Sequence, residues 1–482
     1  MRKNVIILFA RQVYKIVLDS KAVKFVLLLY IILFAYALYT SIASFNEQTQ
    51  TRAHYRKEVR VNWESMPDKH PHRMAHYGYI AFRSKHPLSI FDTGLESYTG
   101  NAVFLEAHKQ NTVNFSDAGL SSTGIRFGEI SIAMLLQLLM PLLIFFVGYN
   151  IVSDEREKGT LRILLSQGAT WPELVAGKTL GLAMASATIL LPTLLITYLG
   201  YQLFCKSDTV LNDTLRFAVL TILYTIYFFI VSLVTVFVSS VAKTSRLALI
   251  SLIGLWLLFA VLLPKTLQAL GNAIYPAPSK IEFETAVEKE LMKRGDSHDP
   301  NDPYYKALKD SVLKAHHVKS VEDLPFNYSG FQMKEGERIS AEIYNLHIEK
   351  LMQIYQKQNA LTRFTSLINP YQAVRNISMS ICGTDFNSYT SFQANAENYR
   401  YRLAQHMNDL QIKLVSNKRP GDHEKPHSIN SQYWKEFPDF TYPVPGIMQS
   451  LYKEGYAVLS LFAWVMICFF CIRILSKKIK AI

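Results

Sequence analysis

The chain has 482 residues, half of them hydrophobic and 12% aromatic, and only 18% carry a charge, against about 25% in soluble proteins. That balance argues against an ordinary soluble domain and for a membrane class. The net charge of +13 does not point to nucleic acid, because the basic residues crowd beside apolar runs at the two ends, as a positive-inside bias requires.

Residues 1–24 interleave Arg2, Lys3, Arg11, Lys15, Lys21 and Lys24 with Val5, Ile6, Leu8, Phe9, Val13, Ile16 and Val17. This pattern predicts a basic amphipathic helix on the inner membrane surface. The apolar run 25–45 is too long for the h-region of a signal peptide and is read as a first span, with the N-terminus in the cytoplasm. Residues 46–128 are polar and rich in His, Tyr and Gly, so a small folded external lobe is expected. Within it His70, His72 and His76 are the candidates for a copper or zinc site, with Met66 and Met74 close by and His54, His86 and His108 elsewhere in the lobe. No cysteine or convergent carboxylate completes such a site, so hydrogen-bonded structural histidines are expected and no metal is assigned.

A second span, 129–152, contains Gln137 and Pro141. The charged segment 153–178, SDEREKGTLRILLSQGATWPELVAGK, follows it. This segment predicts a short amphipathic helix with Leu161, Leu164 and Leu165 on one face and Arg162 on another, a break at Gly168 and a restart at Trp171-Pro172-Glu173. Span three is 179–204. Spans four, 215–241, and five, 247–264, are joined by Ala242-Lys243-Thr244-Ser245-Arg246, whose two cations argue for the cytoplasm. Residues 265–453 turn soluble in character, with helical periods over 280–294, 303–316, 335–361 and 387–414, and with Ile339, Ile343, Leu346, Leu351 and Ile354 near one stripe. A mostly helical external domain is expected there. Span six, 455–472, ends in Arg473, Lys477, Lys478 and Lys480, which put the tail 473–482 in the cytoplasm. The expected fold is an α-helical polytopic membrane protein with six transmembrane helices and two external regions.

Gly177-Lys178-Thr179 mimics the end of a phosphate-binding loop, but position 172, where that loop needs glycine, is proline. None of the six apolar runs carries Asp, Glu, Lys, Arg or His in its interior, Arg216 standing at the edge of the fourth, which argues against ion-coupled transport. No nucleophile and base pattern suggests an enzyme. Cys468 and Cys471 sit within an apolar run and read as core thiols, while Cys205 and Cys382 share one side of the membrane, and whether they pair is left open.

Glu155, Glu157, Gly159, Thr160 and Leu161, then Leu164-Leu165-Ser166 and Gly177-Lys178, lie between two spans. This arrangement resembles the cytoplasmic coupling region of type-2 permeases of ATP-binding-cassette (ABC) exporters, which docks on a separate ATPase. His72-Arg73-Met74-Ala75-His76-Tyr77-Gly78, Asp92-Thr93-Gly94, Tyr98-Thr99-Gly100, Glu106-Ala107-His108, Arg126-Phe127-Gly128-Glu129 and Pro141-Leu142 extend the resemblance, over roughly the first 200 residues, to a subgroup with enlarged external domains. The resemblance implies a permease subunit in a bacterial inner membrane, paired with a second copy or a related permease. It also implies a nucleotide-binding subunit that holds ATP and Mg, so that this chain binds no cofactor itself. Glu155 and Glu157 would then offer acidic contacts, and Leu161, Leu164 and Leu165 would seat in an apolar cleft of the ATPase. Two alternatives stand beside this reading. One is a mechanical transmitter relaying ATPase motion to 265–453 without moving cargo, and the other is a membrane-anchored receptor or enzyme acting alone.

Overall fold

The computed structural model describes residues 1–112, 130–205, 209–299, 301–418 and 427–478, with backbone alone for 472 and 474–478. The Arg126–Glu129 motif and Lys480 lie outside the described residues.

Helix α1 (Lys3–Asp19) is the expected amphipathic helix, and it packs along α7 (Trp171–Phe204). Phe9, Ala10, Val13 and Val17 are buried in that contact. Gly177 and Gly181, four residues apart on α7, allow it. A Cβ at Gly177 would stand 2.7 Å from the Ile6 carbonyl oxygen, and one at Gly181 2.5 Å from that of Ala10. Small residues at this spacing let two helix backbones approach closely. The same Gly177 that imitates a phosphate loop in the sequence is therefore a packing residue.

Helix α2 (Lys21–Glu64) does not end at residue 45 as expected. It runs for 44 residues, about 66 Å at 1.5 Å per residue, which is twice the thickness of a bilayer core. The polar stretch after Phe45 has no Gly or Pro before Pro67, so nothing breaks the helix, and it carries Trp63 into the core of the first lobe.

Among the described residues, five helices are long and apolar enough to cross a membrane: α2, α4 (132–148, leading through to Glu157), α7, α8 (Val210–Val241) and α9 (Ser245–Ile274). A sixth is obtained if α15 (Ile447–Lys453) and α16 (Gly455–Lys478), bent by 68° at Glu454, count together. Helix α8 lies at the centre, against α4, α7, α9 and α16. Two of the prolines sit at π-helical stretches, Leu135–Leu139 before Pro141 and Leu258–Leu262 before Pro264. A proline has no N–H for the preceding turn, and other elements supply the missing donors. The Tyr227 hydroxyl donates to the Gln137 carbonyl at 3.2 Å, and Asn369 Nδ2 donates to that of Phe259 at 2.8 Å.

The first lobe contains α3 (Pro71–Tyr77) and a hairpin of β1 (Tyr79–Phe82) antiparallel to β2 (Ala102–Leu105), with Tyr79 opposite Leu105. The second contains α10 (Lys280–Arg294), α11 (Pro303–Ala315), α12 (Tyr328–Thr365) and α14 (Phe386–Leu414). These match the expected helical periods, but of the expected stripe Ile339 and Ile343 are buried while Leu346 is exposed. The lobes share a core: Trp63, Met74, Tyr79 and Val103 pack with Phe392, Tyr399, Met407 and Trp434.

Helix α13 (Pro370–Cys382) departs furthest from expectation. Ten of its thirteen residues are buried, and Val374, Ile377 and Ile381 join Phe91, Tyr224 and Leu220 in the core of the bundle. Cys382 is free in this core, and Cys205 is free in a separate one. A relay of hydrogen bonds closes the junction: Gln137 Nε2 donates to Tyr224 Oη (2.8 Å), which lies 3.1 Å from Ser378 Oγ, which donates to the Asp92 carboxylate (2.5 Å). Arg216, fully buried, donates to the carbonyls of Ile381 and Pro445.

Because backbone stands against Gly181, Gly181→Leu is expected to displace α1 and destabilise the protein by about 1–3 kcal/mol. Gly254→Leu, at a position with open space around it, should leave the melting temperature in detergent unchanged.

Candidate functional site

The segment between α4 and α7 forms a ledge at the end of the bundle away from the lobes. It comprises α5 (Ser153–Glu157) and α6 (Thr160–Ser166), separated by Gly159 at φ 78° and followed by Gly168 at φ 90°. Both glycines have open space around them, so the left-handed backbone is what calls for glycine. The restart is capped by Thr170 and Glu173 in a reciprocal capping box. The break at Gly168 and the restart at Trp171 stand where the sequence predicts them.

Helix α5 is gripped from three spans. From α7, the buried Lys178 ammonium reaches Glu155 Oε1 at 2.6 Å and the Ile151 carbonyl at 2.6 Å. From α8, Ser239 Oγ accepts from the N–H groups of Val152 (3.0 Å) and Ser153 (3.2 Å). Arg156 donates to the carbonyls of Ser240 (2.6 Å) and Ala242 (2.5 Å), groups that a helix C-terminus leaves without partners. From α9, Ser245 Oγ lies 3.1 Å from Ser153 Oγ, and the Ser245 N–H donates to Glu157. The far end of the ledge is held by α1: Arg2 donates to the Gly168 carbonyl (2.5 Å) and forms an ion pair with Glu173 (2.9 Å).

The expected coupling residues therefore divide into two groups. Leu161 is fully buried in the chain's own core, and Glu155 is committed to Lys178. Glu157 and Thr160 are exposed, Gly159, Leu164 and Leu165 are half-buried, and Ile163, which the sequence reading passed over, is 55% exposed. Lys178, Arg156, Ser239 and Ser245 were missed as holding residues. A lone lysine at the head of an apolar run is the signal that could have found the first, since such a charge needs a partner.

The three candidate histidines also separate. His70 caps α3, its Nδ1 accepting from the His72 N–H at 3.3 Å. His72 and His76, one helical turn apart, meet His108 from beyond β2 and His298 from the loop between α10 and α11. Burial, and then the neighbouring imidazoles, bring His72 down to about 3, and burial lowers His76 as well.

Lys178→Met leaves Glu155 unpaired inside the protein and is expected to cost about 3–5 kcal/mol. Adding Glu155→Gln should recover part of the loss. A double-mutant cycle by thermal unfolding checks this, and additive losses would mean that the pair does not hold the ledge.

Residues 103–261 match the family described as ABC-2 family transporter protein, and residues 280–443 match a domain of unknown function, DUF3526. None of the curated proteins compared matches the chain. The first match takes in the ledge and the helices that grip it, and the second takes in most of the second lobe. The apolar helices make the protein a multi-pass membrane protein, and its residues 103–261 are similar to the ABC-2 type permeases, a family of membrane components that work with an ATP-binding subunit.

Proposed function

We propose that the chain is the permease subunit of an exporter in a bacterial inner membrane, with both termini and the ledge in the cytoplasm and the two lobes outside. A separate nucleotide-binding subunit, carrying ATP and Mg, would dock on the exposed part of the ledge. The functional complex would be two permeases, identical or related, with two such subunits. The observation that carries this reading is the mechanical wiring of α5. A push on the ledge cannot move α5 without pulling on Lys178 of α7, Ser239 and Ser240 of α8 and Ser245 of α9. Ile163, Leu164 and Leu165 on α6 supply apolar contact, and Glu157 and Thr160 supply its polar edge. Glu155 and Leu161 act from inside, holding the ledge in shape rather than touching the partner.

A second reading, transmission of ATPase motion to the lobes without cargo crossing, draws support from two connections. Helix α2 runs unbroken from the bundle into the lobe core, and the Gln137–Tyr224–Ser378–Asp92 relay joins α4 and α8 to the lobes. Flux into liposomes by the reconstituted complex favours export, and ATP-dependent lobe movement without flux favours transmission.

In either case Ile163→Asp is expected to leave the chain folded and membrane-inserted. It should weaken capture of the ATPase subunit about tenfold, the equivalent of about 1.4 kcal/mol. The checks are copurification from native membranes and ATP turnover of the complex. Wild-type capture and turnover in this variant would remove α6 as the docking element.

A further inference from the structure

We propose that His72, His76, His108 and His298 form a binding site for one divalent transition ion of the imidazole-preferring class, zinc or copper, which clamps the first lobe to the second. Each histidine offers one ring nitrogen, and the four nitrogens lie within 4.8 Å of one another. Around an ion bound tetrahedrally at 2.0–2.1 Å, ligand nitrogens stand about 3.4 Å apart. The Nε2 atoms of His72 and His76 already lie 3.2 Å apart, and side-chain rotation of the other two closes the remainder. An all-nitrogen set selects zinc or copper over calcium and magnesium, which take oxygen.

The surroundings are built for this role. His108 holds a left-handed backbone at φ 62°, a region that histidine enters more readily than most side chains. Its Nδ1 stands 3.1 Å from Glu337 Oε2, and its backbone N–H donates to the same oxygen at 2.8 Å. Arg400 lies 2.6 Å from Glu337 and is itself held by Glu397. A carboxylate on Nδ1–H fixes the tautomer that turns the Nε2 lone pair outward, the arrangement found behind histidines that ligate metals. That Nε2, like Nδ1 of His72, is buried and has no hydrogen-bond partner among the described residues. On His298, Asp296 Oδ1 lies 3.4 Å from Nδ1 and also accepts from the backbone N–H at 2.8 Å. His72, His76 and His108 belong to the first lobe and His298 to the second, so an ion here bridges the two. The exposure of His76 and His298 gives it a path from solvent.

The test uses the untagged full-length chain in detergent, stripped with chelator and titrated with Zn²⁺, Cu²⁺ and, as a spectroscopic probe, Co²⁺. Expected are one ion per chain by elemental analysis and the intense visible bands of tetrahedral cobalt. His76→Ala and His298→Ala, both at exposed positions and so compatible with folding, should each weaken binding at least tenfold and abolish the cobalt bands. His70→Ala should bind as the unaltered chain does. Failure to retain an ion, or unchanged affinity in both variants, overturns the site. Because neither histidine touches the ledge, the result is independent of whether an ATPase docks there.

Discussion

The buried ammonium of Lys178 is the interaction on which the working end of this molecule depends. A charge placed among apolar helices is tolerated only with partners that replace its water, and here those partners are Glu155 and the Ile151 carbonyl. The two contacts pin the start of the ledge to α7. With the pin in place, the serines of α8 and α9 and the Arg156 guanidinium can satisfy helix-terminal groups that would otherwise lie unpaired. The ledge is consequently an extension of the bundle and not a loose connection.

The opposite end is tied by a different device. Prolines leave carbonyls open in α4 and α9, and donors from α8 and from the head of α13 fill them. The polar relay from Gln137 to Asp92 and the Arg216 contacts then join α4, α8, α13 and the segments around Asp92 and Pro445 across the same junction. Such contacts are directional, so relative movement of α4, α8 and α13 requires exchanging hydrogen bonds rather than sliding past oily neighbours. The lobes ride on this junction with a common aromatic core, and the DUF3526 region is accordingly not an appendage separate from the permease.

Long apolar runs, the amphipathic N-terminal stretch, the glycine breaks around the ledge and the resemblance to type-2 permeases were all legible in the chain, because each is written in local spacing. Two elements depart from expectation. Rising polarity after residue 45 predicts the end of a span, but no Gly or Pro interrupts the chain there, and α2 continues to Glu64. The soluble stretch before α13 predicts an external helix, but whether its apolar face is covered by the lobes or by the bundle is decided by distant partners, here Phe91, Leu220 and Tyr224.

The sequence by itself determined a polytopic helical membrane protein, the position of the ledge and the histidine-rich character of the first lobe, since hydropathy, helix-breaking residues and composition act over neighbouring residues. Only the tertiary structure decided that Leu161 faces inward while Ile163 faces out, that Glu155 belongs to Lys178, and that His298 rather than His70 completes the histidine cluster. Those outcomes depend on which distant segments a side chain meets, and periodicity along the chain carries no record of that.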